Sequence, residues 1–234
     1  MKKISYSLFA FLFAFVLTVQ AKDSATAAPY FDPASIDLKA LLPDPPADGS
    51  PVTVQEIDFI LQKQAARTPE EVARIRQEVH LNVWLFENVL GAWFVEKNLP
   101  ATTRLFKRVD ADVHPIIISA KKSWDRPRPF LQDKRVHPPI DPPKNASYPS
   151  GHSTVGNLNA MILAELAPDL KDALLARGVQ IGDDRVIAGV HFPSDVAAGH
   201  TLAQDLFTRF MAIPEFQSDL ARAKAEIAAV RTKP

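Results

Sequence analysis

Apolar residues in this chain recur every three or four positions through most of its length, and alternating apolar–polar runs are nearly absent. That period belongs to helices with one buried face and argues against a fold of half-buried strands. Val52 to about Ala66 carries Ile57, Ile60 and Leu61 in this register. Thr68-Pro69-Glu70-Glu71 reads as a helix start, with an N-cap Thr, Pro at the first helical position and Glu closing a capping box. The spacing predicts that this helix runs through Val72, Ile75, Val79 and Val83 to Leu90. Further helices are predicted over Pro100–Lys122, Ser150–Leu166, Asp169 to about Gly189 (broken near Gly182), Ser194–Met211 and Phe216–Val230. The β-branched run Ile116–Ile118 falls inside a helical pattern.

Prolines divide these helices. Residues 22–52 hold Pro29, Pro33, Pro43, Pro45, Pro46 and Pro51, which forbid a continuous helix and predict an irregular arm. Leu38, Leu41 and Leu42 would tack that arm to the body. Residues 126–149 are equally proline-rich and read as a long ordered loop, a type that is usually functional or mobile. No repeat or linker composition interrupts the rest. The expected architecture is one all-α domain over 22–234, a single-domain helical bundle.

The N-terminus reads as an export signal. Lys2 and Lys3 precede an uncharged run, Ile4–Gln20, and Val19-Gln20-Ala21 offers small residues where a signal peptidase cuts. Residues 1–21 are therefore expected to be a signal peptide, cleaved after Ala21, with Ala25-Thr26-Ala27 as a second possible site. An uncleaved anchor is the alternative. Cleavage implies a periplasmic or secreted protein with no membrane association afterwards. Lys+Arg and Asp+Glu balance at 27 each, so there is no basic footprint for a nucleic-acid partner. The absence of cysteine excludes disulfides, a thiol nucleophile and a Cys-type zinc site.

Three polar motifs carry the chemistry. Lys121 and Arg128 flank Trp124-Asp125-Arg126-Pro127-Arg128-Pro129, where two prolines fix the backbone around Arg128. Arg offers a planar fork for phosphate oxygens and Lys a compact point charge. Alone, this is most often a solvated basic helix end favoured by the dipole. Pro149-Ser150-Gly151-His152 pairs an N-cap Ser with a Gly whose amide points out of a helix N-terminus, a setting that binds anions. Its bland reading is an ordinary cap beside a surface histidine. In Arg185-Val186-Ile187-Ala188-Gly189-Val190-His191-Phe192-Pro193-Ser194-Asp195, His191 and Asp195 are one helical turn apart. Asp195 can fix the tautomer of His191 and leave the other ring nitrogen free to attack. Its bland reading is a stabilising Asp–His pair. The three together suit a phosphate group held by cations between two histidines.

The set Lys-x6-Arg-Pro, Pro-Ser-Gly-His and Arg-x5-His-x3-Asp resembles the signature of the type 2 phosphatidic acid phosphatase and vanadium haloperoxidase superfamily. More closely, the chain is similar to the bacterial class A non-specific acid phosphatases. The likeness runs from Leu41–Pro51 to the C-terminal helix and includes Arg126-Pro127-Arg128-Pro129-Phe130 and Ala146-Ser147-Tyr148-Pro149-Ser150-Gly151-His152. The resemblance implies that Lys121, Arg128 and Arg185 bind phosphate, with Ser150 and Gly151 adding donors. It implies His191 as nucleophile, Asp195 as its orienter and His152 as general acid. Arg126 falls at a basic position of the family segment and either joins or supports the site. The superfamily usually has Ser where this chain has Asp184. An inward Asp184 would weaken binding of a dianion; an outward one would be harmless.

The expectation is metal-independent hydrolysis of small phosphomonoesters of broad specificity, through a phosphohistidine, with transfer to alcohols as a side reaction. No cofactor is expected, and vanadate should inhibit. The resemblance also favours a homo-oligomer. The alternatives are an exported phosphate-binding protein without turnover and a vanadate-dependent haloperoxidase-like enzyme; a lipid phosphatase would need spanning helices. His80, His114, His137 and His200 show no metal-site spacing, and His200 has at most a remote claim on the site.

Overall fold

Proline opens most of the longer helices, because its fixed φ suits the first helical position and its missing N–H would be unpaired there anyway. In the computed structural model, which describes residues 29–231, the helices are α1 (Leu38–Leu41), α2 (Pro51–Ala66), α3 (Pro69–Gln77), α4 (Glu87–Leu90), α5 (Pro100–Trp124), α6 (Pro129–Gln132), α7 (Gly151–Leu166), α8 (Lys171–Ile187), α9 (Pro193–Met211) and α10 (Pro214–Arg231). Short 3-10 turns join some of them, and no strand occurs among the described residues. The chain is all-α, as its periodicity predicts. The expected signal peptide at residues 1–21, and both candidate cleavage sites, lie outside the described residues. No helix among the described residues is long and apolar enough to cross a membrane.

The caps follow the sequence. Thr68 and Glu71 form the reciprocal capping box of α3, and Ser50 and Ser150 cap α2 and α7 by accepting from Thr53 and Ser153 backbone N–H groups. Asp125, in the left-handed conformation at φ 42°, ends α5 and turns the chain into the 126–149 loop.

α7 is the central helix, and it meets α8 and α9 through small residues. A Cβ on Gly178 would lie 2.6 Å from the Cβ of Ala160, and one on Gly199 would lie 2.6 Å from the Ser150 carbonyl oxygen. Only glycine permits backbones this close. α5 and α10 pack together on the flank of the bundle, and the arm docks there. Tyr30 donates its N–H to Asp112 at 2.8 Å and its hydroxyl to Asp219 at 2.6 Å, and its ring meets Phe210 and Phe216 edge-on. Leu42 is buried, while Leu38 and Leu41 pack at the core's margin.

Four local expectations are corrected. The arm is not wholly irregular: a 3-10 turn (Pro33–Ser35) and α1 interrupt it, each started by an Asp side chain that accepts backbone N–H groups. The helix after Thr68 stops at Gln77 instead of reaching Leu90. Glu78 turns fully inward, and Asn82 accepts from the Trp84 N–H at 3.0 Å, an alternative to helical bonding. α8 is unbroken at Gly182, which serves close packing instead: a Cβ there would meet Val196 and Ser153 at 3.0 and 3.2 Å. The 126–149 loop contains α6.

Candidate active site

Lys121 lies in the last turn of α5 and is buried. The ammonium donates to the carbonyls of Ala146 and Ser147 at 2.6 and 3.1 Å. Arg128, between two prolines, donates to the Asn145 carbonyl and side-chain oxygens, each at 2.7 Å, and to the Val190 carbonyl at 2.6 Å. The loop is thus folded around two cations that donate to dipoles rather than to carboxylates. Charge held this way is expensive without a counter-ion. Burial, then repulsion from Arg128, pushes Lys121 down to about 7. Burial likewise lowers Arg128 to about 10, against the pull of Asp195.

Arg185 projects from the end of α8 and is almost fully buried. Its Nη2 donates to Glu78 Oε2 at 2.9 Å and to the Ile75 carbonyl at 3.3 Å. Its Nε is a buried donor with no hydrogen-bond partner. Glu78 also pairs with Arg177 at 2.7 Å. Burial and the nearby Asp184 raise Glu78 to about 7, against the pull of both arginines. The Glu78 carbonyl lies 2.9 Å from His152 Nε2. A carbonyl only accepts, so Nε2 carries a proton and Nδ1 is the nitrogen that titrates. Burial, then the charge of Arg185, depresses His152 to about 4.

His191 follows the turn at Gly189, whose φ of 70° suits glycine. Its Nδ1 is 3.2 Å from Asp195 Oδ2. Asp195 also accepts from Ser147 Oγ through a short contact, from Arg126 Nη1 at 2.6 Å and from the Phe192 N–H at 2.9 Å. Burial alone would raise Asp195, but the bond from His191, the charge of Arg126 and the Ser147 hydroxyl hold it at about 2. An ionised acceptor on Nδ1 leaves the lone pair on Nε2. That nitrogen faces Arg128 Nη1 at 3.2 Å. Burial, then Arg128, holds His191 well below the usual imidazole range, so the ring is neutral and can act as a nucleophile.

A cavity of about 480 Å³ has Lys121, Arg128, Gly151, His152, Arg185 and His191 on its wall. The chain therefore brings together segments up to 70 residues apart (Lys121 to His191). Ser150 and Asp195 are buried just behind: the Ser150 N–H donates to the Asp195 carbonyl at 2.9 Å, tying the two helix starts together. Arg126 does not line the cavity. It bonds Asp195, Ser194 and, at 3.1 Å, Glu56, and lies over the Phe192 ring at 3.8 Å, so it supports Asp195 from behind. Asp184 fits neither sequence alternative. It is fully buried but off the cavity wall, and Arg74 grips both its oxygens at 2.6 and 2.8 Å. His200 bonds Gln204 at 3.1 Å and does not line this cavity. His114 does line it. No group of three His, Cys, Asp or Glu suited to a metal occurs among the described residues.

Sequence reasoning missed Glu78, Ser147, Asn145 and Glu56. Ser147 stood inside a quoted motif, but its role depends on the loop folding back over α9. Glu78 carried no signal, since its burial follows from the early end of α3.

The PAP2 superfamily matches residues 113–217, a span that holds Lys121, Arg128, His152, Arg185 and His191. The chain is 32% identical over 213 residues to a non-specific acid phosphatase of Providencia stuartii, covering 84% of this chain and 83% of that protein. It is 31% identical over 229 residues to the non-specific acid phosphatase of Salmonella typhimurium, covering 93% and 92%. An acid phosphatase of Zymomonas mobilis is 31% identical over 199 residues, covering 82% and 75%.

Proposed function

The chain belongs to the acid phosphatases of the PAP2 superfamily, and from that premise we propose that it hydrolyses small phosphomonoesters through a phosphohistidine on His191. The observation that carries this reading is the single cavity wall shared by Lys121, Arg128, Arg185 and the imidazoles of His152 and His191.

A substrate dianion entering the cavity takes the Lys121, Arg128 and Arg185 donors onto its oxygens. In doing so it draws Arg128 away from His191 Nε2 and frees that lone pair. Nε2 attacks phosphorus as the ester P–O bond breaks, and the leaving oxygen takes the proton from His152 Nδ1. The three cations and the amides at the start of α7 hold the charge on the equatorial oxygens. Water then attacks phosphorus and gives a proton to His152. The P–N bond breaks, its electrons return to Nε2, and phosphate leaves. An alcohol in place of water gives phosphotransfer. Asp195, supported by Arg126 and Ser147, keeps the Nδ1 proton of His191 in place and stabilises the positive ring of the intermediate.

In the empty cavity His152 is neutral above about pH 4. The bound dianion supplies the counter-charge that lets it hold its second proton, so activity belongs on the acid side of neutrality. Vanadate, which can add a fifth ligand from Nε2, is the expected inhibitor, and no cofactor is required. The Lys2–Ala21 segment supports export to the periplasm or beyond, and family membership supports a homo-oligomer. The test is a chromogenic phosphomonoester assay between pH 4 and 8 on wild type and His191→Ala. Turnover in wild type that disappears in the variant is expected; full activity in the variant overturns the mechanism.

A further inference from the structure

The cavity does not end at the phosphate-binding groups. A second one, of about 320 Å³, shares three residues with it: Leu81, Asp110 and Val155. Each comes from a different element, so the two spaces have common walls on three sides. α5 lines the first with Lys121, Ile117, His114 and Asp110, then lines the second with Asp110, Lys107, Phe106 and Thr103. α7 does the same, with His152 and Val155 in the first and Val155 and Asn159 in the second. The segment after α3 closes the groove with Leu81 and then Trp84.

Lys121 and Asp110 are eleven residues apart, about 16 Å of helix. A leaving group must therefore be several carbons long to reach the junction. Beyond the phosphate the groove is half apolar, from Leu81, Phe106, Val155 and Trp84. In the second cavity Glu96 and Lys107 neutralise each other at 2.9 Å, which leaves the carboxylate of Asp110 as its unbalanced charge. Asp141 adds another carboxylate to the first cavity, where His114 is exposed.

Resting on the hydrolase reading above, we propose that this second cavity is a leaving-group subsite that accepts elongated alcohols with a neutral or cationic far end, and that Asp110 sets its preference against anionic ones. Asp110 is a specificity residue and takes no part in the chemistry. Its exposed position makes its substitution compatible with folding.

The test uses three esters of equal length and similar alcohol acidity: 6-aminohexyl, hexyl and 5-carboxypentyl phosphate, with 2-aminoethyl phosphate as an ester too short to reach. In wild type at low salt, kcat/KM for the aminohexyl ester should exceed that for the carboxypentyl ester by about tenfold, the size expected of partly screened charges several ångströms apart. Asp110→Asn should bring that ratio close to one, and Asp110→Lys should invert it, with hexyl and 2-aminoethyl phosphate unchanged in both. An unaltered ratio in both variants, or an equal change for all four esters, overturns the subsite while leaving the hydrolase intact. Absence of turnover of every ester by wild type overturns the hydrolase reading and the subsite with it.

Discussion

His191 and His152 are both imidazoles held neutral by burial, yet they keep their protons on opposite ring nitrogens. Asp195 keeps a proton on Nδ1 of His191 and leaves Nε2 bare, whereas the Glu78 carbonyl keeps a proton on Nε2 of His152 and leaves Nδ1 to exchange. Both are depressed below the ordinary 6.5. At these two rings the folded, empty protein therefore binds fewer protons than the unfolded chain below that pH, while Glu78, raised to about 7, takes one up in the same range. The two rings contribute stability that is present above pH 6.5 and is lost as pH falls toward about 4, and Glu78 offsets part of that loss. An anion in the cavity reverses this by favouring the charged ring. Calorimetry of sulfate binding at pH 5.5, in buffers of different ionisation enthalpy, should show uptake approaching one proton, since sulfate itself does not titrate there. His152→Asn should abolish that uptake. Uptake that persists in the variant would place the proton elsewhere. Lys121, near 7 in the empty site, is already charged at this pH and joins the uptake only in more alkaline buffer.

Among the helices, the close seam between α7 and α9 decides how well the site is held. Replacing a mid-helix glycine with alanine ordinarily stabilises a helix by about 1 kcal/mol. At Gly199 the added Cβ would press on the Ser150 carbonyl at 2.6 Å, and backbone cannot yield as a flexible side chain does. Overpacking of this kind costs about 1–3 kcal/mol. Gly199→Ala should therefore lower the denaturant midpoint and also reduce kcat, because Ser150 begins the helix that presents Gly151 and His152. A rise in stability with unchanged kcat would show that the seam can relax. Such contacts also mark what the sequence could reveal. The Thr68–Glu71 box, the proline starts and the Ser150 cap were legible because each is decided within a few residues. The early end of α3, the role of Gly182 and the inward turn of Glu78 were not, because each is decided by a helix distant in the chain.

Taken whole, the molecule is a scaffold that carries five short segments to one cavity. The motif residues were legible in advance as a group, and the fold sets Lys121, Arg128, Gly151, His152, Arg185 and His191 on one cavity wall. Their support was not: Arg126 from the start of the loop and Glu56 from α2 meet behind Asp195, and Arg74 neutralises Asp184 across 110 residues. Asp184 illustrates why. The sequence placed its charge either inward against a bound dianion or outward, whereas a partner from α3 grips it in the interior. In the proposed reaction all five groups act on one phosphoryl group and His191 receives it. Rapid acid-free quenching of the enzyme during turnover of a ³²P-labelled ester, followed by peptide mapping, tests this directly. The expected label is stable to base, labile to acid and confined to the peptide containing His191. Turnover with no labelled enzyme at any quench time, or label on another residue, would contradict it.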